Sequence, residues 1–133
     1  MKKISIFILT VVFAITCVTG CSSSRKDDAI NELLSKESNT YAGYLFWNSD
    51  SDVKALNEEL LNIVNSERVM QSLRFSKMDI ISMNDKNQNM NYVKLFDIQN
   101  SPTLLIFDTK KLVLQTNNLK DLYNLADKLK GPL

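Results

Sequence analysis

Apolar and polar positions fall in blocks along this chain, and the blocks predict an ordered series of elements. Ile4 to Val18 is an almost unbroken apolar stretch behind Lys2 and Lys3. Ser22 to Asp28 is polar and reads as a flexible tether. Ala29 to Lys36 carries Ile30, Leu33 and Leu34 at helical spacing. Asp27 and Asp28 stand ahead of it, where acids suit the positive end of a helix dipole. Thr40 to Trp47 is aromatic and apolar, which favours a strand. It stops at Asn48-Ser49-Asp50-Ser51-Asp52, a cluster of turn and N-cap residues. Val53, Leu56, Leu60 and Ile63 then recur three and four apart, predicting a helix to about Glu67.

Arg74 to Ile81 holds Phe75, Met78, Ile80 and Ile81 and reads as a second strand, and Tyr92, Val93, Leu95 and Phe96 supply the apolar face of a helix from about Lys86 to Phe96. Thr103 to Phe107 is an apolar run without alternation, so it suits a strand covered on both faces. Pro102 stands at its mouth, a position that tolerates a residue with no N–H. Asp108 to Lys111 is a turn of hairpin length, and Leu112 to Thr116 is a fourth strand. Asn117 and Asn118 cap a last helix that carries Leu119, Leu122, Leu125, Ala126 and Leu129 and ends at Gly131-Pro132. Strands separated by helices imply parallel neighbours, and the last two strands imply an antiparallel hairpin. The class is therefore α/β, with a central mixed four-stranded sheet flanked by helices.

The chain has 133 residues, enough for one domain, and its two cysteines are Cys17 and Cys21. The apolar stretch of about fifteen residues fits a signal-peptide core and is short for a membrane span. It ends in Val18-Thr19-Gly20-Cys21, which resembles the bacterial lipobox. The resemblance implies a signal peptide over residues 1–20, a Cys21 that becomes the lipidated first residue of the mature protein, a tether over 21–28 and a domain over 29–133. It places the domain on the extracytoplasmic face of a membrane, held by palmitate-type acyl chains. Residues 22–133 then contain no thiol. The chain contains no histidine, which removes the commonest metal ligand and the usual general base near neutral pH. Net charge is +1, and no basic patch points to nucleic acid.

The Phe46-Trp47 pair at a strand end, the strand around Ser76-Lys77-Met78-Asp79, and the run from Lys94 through Ser101-Pro102 to Phe107 together resemble the thioredoxin fold. That resemblance implies a cis-proline loop at Ser101-Pro102. It also implies a functional face made by Trp47, Asn48, Ser49, Asp50, Ser51, Ser101 and Pro102, where backbone beside the cis-proline pairs with an extended peptide. The chemistry of the family does not transfer. Its first cysteine falls near Ser51 and its second near Lys54, and its buried carboxylate falls at Leu45. A serine hydroxyl cannot carry disulfide exchange, which needs a sulfur nucleophile. Asp50 and Asp52 would also raise the pKa of any thiol beside them.

Other chemistry finds little support in the residues. Asp50 and Asp52 read as charges at a helix N-terminus, because a calcium loop needs a longer series of oxygen ligands. Ser51 lacks a base: no histidine exists, and no Ser-x-x-Lys motif sets a lysine beside it. Met70, Met78, Met83 and Met90 are irregularly spaced and suit core use. No metal or other cofactor is expected, and no catalytic residue. The expectation is a non-enzymatic, membrane-anchored binding or accessory module of the cell envelope, redox-inactive, with another exported or membrane protein as partner. The alternative is a protein of a thiol-disulfide pathway that works with a cysteine supplied from outside.

Overall fold

A computed structural model describes residues 20–132, with side chains described from Ser24 onward. Residues 1–19 of the expected signal peptide and the Cys21 side chain lie outside the described ones. The elements are α1 (Gly20–Leu33), β1 (Tyr41–Trp47), α2 (Val53–Val64), α3 (Glu67–Met70), β2 (Phe75–Ser82), α4 (Tyr92–Leu95), β3 (Thr103–Phe107), β4 (Leu112–Thr116) and α5 (Asp121–Lys130). Among the described residues no helix is long and apolar enough to cross a membrane.

The four strands form one sheet in the order β2-β1-β3-β4. β1 runs parallel to β2, and β3 and β4 form the expected antiparallel hairpin. β1 and β3, however, are antiparallel neighbours, which corrects the expectation that helix-separated strands run parallel. The register explains it. Trp47 lies opposite Ser82, and Phe46 lies opposite Thr103, so β2 ends and β3 begins at the same end of the sheet. The only helix between them, α4, has four residues. At 1.5 Å per residue it spans about 6 Å, too short to carry the chain back along the sheet for a parallel return.

Two central strands, β1 and β3, bury both faces, and alternation sorts their side chains. Ala42, Tyr44, Phe46, Leu105 and Phe107 face α1 and α4, where they meet Ala29, Leu33, Tyr92, Phe96 and Ile98. Leu45, Leu104 and Ile106 face the other way, against Leu60, Ile63, Val69, Leu122 and Ala126. Gly43 belongs to that second face by alternation. A Cβ there would stand 2.5 Å from the end of Met78 and 3.1 Å from Ile106 Cδ1, so glycine lets both side chains cover the strand.

Several boundaries differ from the sequence-based expectation, and the helix expected from Val53 to about Glu67 ends at Val64, with the short α3 after it. The first helix starts at Gly20 and not at Ala29, so residues 21–28, read as a tether, are helical. Asp27 and Asp28 therefore sit mid-helix and not in its first turn. From Ser24 to Asp28 the side chains are exposed, so the polarity read as tether is that of a solvated helix face. The helix expected over 86–96 shrinks to Tyr92–Leu95. Before it, Asp85 Oδ1 accepts from Asn87 N at 2.9 Å and Asn91 Oδ1 from Lys94 N at 3.1 Å. The first of these local bonds offers the backbone an alternative to helix, and the second caps α4. The last helix begins at Asp121, after a turn in which Asn118 Oδ1 accepts from Lys120 N at 3.1 Å. Asn117, read as its cap, has another role.

Candidate functional site

The face implied by the resemblance assembles where β1 ends and β3 begins. Beyond Trp47 the chain leaves the sheet, and Ser51 N–H donates to Asn48 O at 3.1 Å, closing a turn. Asp50 N–H donates to Asn48 Oδ1 at 2.9 Å, the side-chain version of the same bend. Asp52 then caps α2: its Oδ1 accepts from Lys54 N at 3.0 Å and from Ala55 N at 3.1 Å. Its role is thus the N-terminal one expected from the sequence.

The Ser101-Pro102 bond is cis, and Ser101 ties this loop to the turn. Its Oγ accepts from Asn48 N at 2.9 Å and shares a hydrogen bond with Ser51 Oγ at 2.7 Å. Asn48, Ser51 and Ser101 are therefore brought into direct contact from positions some fifty residues apart in sequence. Pro102 joins through its carbonyl, which accepts from Asn117 Nδ2 at 2.9 Å. The same Nδ2 donates to Thr103 Oγ1 at 2.8 Å. Ser49 and Asp50 are exposed at the tip of the turn. Trp47 is half-buried and belongs to neither apolar cluster, although its neighbour Phe46 is fully buried. Its backbone carbonyl accepts from Met83 N at 2.7 Å, which ends the β1–β2 ladder.

The chemistry available here is hydrogen bonding. Ser51 Oγ meets a second hydroxyl and not a base. Ser101 N–H and C=O have no hydrogen-bond partner among the described residues, because the β1–β3 pairing stops at Phe46 and Thr103. Among the described residues, no group of three or more histidine, cysteine, aspartate or glutamate side chains is placed to hold a metal.

Beside the loop opens a polar hollow of about 330 Å³, between residues 97–100 and residues 115–117, with Thr103 at its floor. Sequence reasoning missed it. Asn117 reads locally as a helix cap, and only the strand pairing that sets β4 beside β3 brings it to Pro102. The positive φ of Asp97, 51°, carried no signal in the sequence beyond the aspartate itself, a residue type that tolerates the left-handed region.

No family model matches the chain, and no curated protein matches it in sequence. Solved structures do. The thioredoxin (Mala s 13) of Malassezia sympodialis aligns over 71% of this chain and 78% of its own, with 10% identity and a TM-score of 0.48. Mitochondrial thioredoxin 3 of Saccharomyces cerevisiae aligns over 71% of this chain and 82% of its own, with 14% identity and a TM-score of 0.45. Thioredoxin f2 of Chlamydomonas reinhardtii aligns over 81% of this chain and 94% of its own, with 17% identity and a TM-score of 0.52. That last likeness agrees with the mixed sheet order found here: the chain has a thioredoxin-like α/β fold.

Proposed function

We propose that this chain is a lipid-anchored, redox-inactive thioredoxin-like module that binds an extended segment of another envelope protein. The binding face is the Trp47–Ser51 turn with the Ser101-Pro102 loop, and the anchor is Cys21. The observation that carries the reading is the state of Ser101. Its hydroxyl is committed to Asn48 and Ser51, while its backbone N–H and C=O are free of partners among the described residues. A short stretch of open backbone next to a strand end is what strand addition uses: main-chain bonds for affinity, adjacent pockets for specificity. Exposed Ser49 and half-buried Trp47 flank it. The same positions offer no sulfur, and disulfide exchange needs one.

The test uses the full chain in its own membrane. A photocrosslinking side chain at position 49 captures a partner protein under reducing conditions, and the same group at position 128, on α5, does not capture it. Capture of one identical set of proteins from both positions overturns the site. Reduction of insulin disulfides by the purified chain, without an added thiol protein, overturns the redox-inactive reading and favours the thiol-disulfide pathway.

A further inference from the structure

One helix joins the anchor to the domain, and its direction decides which way the binding face looks. The last residues of α1 lead to the end of the sheet where β1 begins. Ser35 N–H donates to Asp108 O at 3.0 Å, and Asp108 directly follows Phe107, the β3 residue paired with Ala42. Ser35 Oγ shares a hydrogen bond of 2.9 Å with Ser76 Oγ, on the second residue of β2. The Tyr44 hydroxyl donates to Leu33 O at 3.1 Å. Followed back toward its start, the helix lies on the sheet, with Leu33 and Ala29 buried in one cluster with Tyr44, Phe46, Phe96 and Ile98. Nearly one turn before Ala29, Lys26 Nζ stands over the Phe96 ring, 5.9 Å from its centroid. Phe96 closes α4 and leads through residues 97–100 into Ser101-Pro102. The helix therefore runs from the Ser101 end of the sheet to the Asp108 end, opposite in direction to β1.

Its length matches that path. Fourteen helical residues span about 21 Å, and the seven residues of β1 span about 23 Å. The start of α1 thus comes out at the end of the sheet that carries Trp47 and Ser101. Cys21 stands five residues before Lys26, about 7.5 Å further along the helix axis. A Gly/Ser-type tether would let the domain turn freely about its lipid. A helix that is continuous from Gly20 and packed into the core at Ala29 and Leu33 does not.

We infer, resting on the lipid-anchored, strand-addition reading above, that the Trp47–Ser51 turn and the Ser101-Pro102 loop look toward the bilayer, and that the segment they pair with is an extracytoplasmic stretch of an integral membrane protein, close to where that protein leaves the lipid. Acyl chains hold the start of α1 at the membrane surface. Ser101 lies five residues beyond Phe96, a stretch of at most about 17 Å, so the loop stays within roughly 30 Å of that surface. An extended partner segment of about ten residues covers the gap. Two proteins held to one membrane also meet at raised effective concentration, which a secreted protein in solution does not gain. Lipid itself is the poorer occupant. The exposed residues of the turn are Ser49 and Asp50, which offer a headgroup layer neither apolar surface nor positive charge.

The test places a nitroxide at position 49 or 110, through Ser49→Cys or Lys110→Cys, in the full lipidated chain. Residues 22–133 hold no other cysteine. Lys110 is exposed in the β3–β4 turn, at the Asp108 end. In phosphatidylcholine vesicles carrying nickel-chelating headgroups, nickel should speed relaxation several-fold more at position 49 than at position 110. A flexible Gly-Ser insertion after Ser24, which uncouples the helix from its anchor, should erase the difference. Equal or reversed relaxation in the uninserted chain, or a difference that survives the insertion, overturns the orientation. In native membranes the photocrosslinker at position 49 should join to a peptide within about ten residues of a membrane span. Crosslinks to a secreted protein or to lipid alone overturn the partner class. Acylated Cys21 and capture at position 49, found with equal relaxation, leave the lipid-anchored binding reading standing and fell only the orientation, whereas an unmodified Cys21 fells both.

Discussion

Phe107 is the position at which truncation should cost this fold most on the α1 side of the sheet. Its side chain is fully buried, and it lies edge-to-face with two rings: Tyr44, centroids 5.9 Å apart, and Phe96, 5.8 Å apart. Phe107→Ala removes the ring and leaves a cavity walled by a sheet and two helices, which cannot close around it. The expected loss is about 3–5 kcal/mol. A domain of this size has a total stability of roughly 5–15 kcal/mol, so the variant loses a large share of it. Phe107→Leu keeps most of the volume. Its cost is about 2 kcal/mol, up to about 1.5 for the change of shape and the rest from the two edge-to-face contacts. The assay is urea unfolding of the full chain followed by Trp47 fluorescence, and with m near 2 kcal/mol/M the alanine variant's midpoint falls by roughly 1.5–2.5 M. A cycle pairing Phe107→Leu with Phe96→Leu should show a coupling of about 0.5–1.5 kcal/mol. A loss below about 1 kcal/mol in Phe107→Ala, with m unchanged, refutes the packing argument. So does a leucine variant as damaged as the alanine one.

Asp52→Ala removes the acceptor for two backbone N–H groups at the start of α2 and should cost about 1 kcal/mol, read in the same unfolding experiment; an unchanged midpoint refutes the cap. Tyr92 is held neutral by burial, and next by the nearby Glu32 carboxylate, so its pKa is pushed up to about 12. Because the folded value lies above the ordinary value near 10, the stabilisation is complete below pH 10 and is lost as pH rises toward 12. Ultraviolet titration of wild type against Tyr92→Phe should show one phenol titrating near 12, and its absence refutes the burial argument. Cys21→Ser should leave the protein unlipidated and outside the membrane fraction, since stable anchoring takes two acyl chains or more, and mass spectrometry of membrane-bound wild type with Cys21 unmodified refutes the anchor.

Local pattern was enough for much of this protein. The unbroken run Thr103–Phe107 and the five residues Leu112–Thr116 read as strands from their composition and punctuation, and both have those bounds in the fold. The Asn48–Asp52 turn and the cap on α2 were legible because each is made by residues within a few positions of one another. The α/β class followed from order alone. The direction of β3 against β1 did not. It depends on where β2 leaves the sheet and how far four helical residues can travel, and neither is written in the strand sequences.

The site divides in the same way. Ser101-Pro102 stood out in the chain, yet the bonds from its Oγ to Asn48 and Ser51 exist only because β1 and β3 are paired. Asn117 carried the signature of a helix cap, and its side chain instead holds Pro102 from across the hairpin. Sequence by itself determined which residues are chemically able to act: serines but no thiol in residues 22–133, amides and one carboxylate near a proline. Tertiary structure decided which of their atoms remain unpaired. A backbone or side-chain group is spent or free according to neighbours distant in the chain, and local propensity holds no record of them.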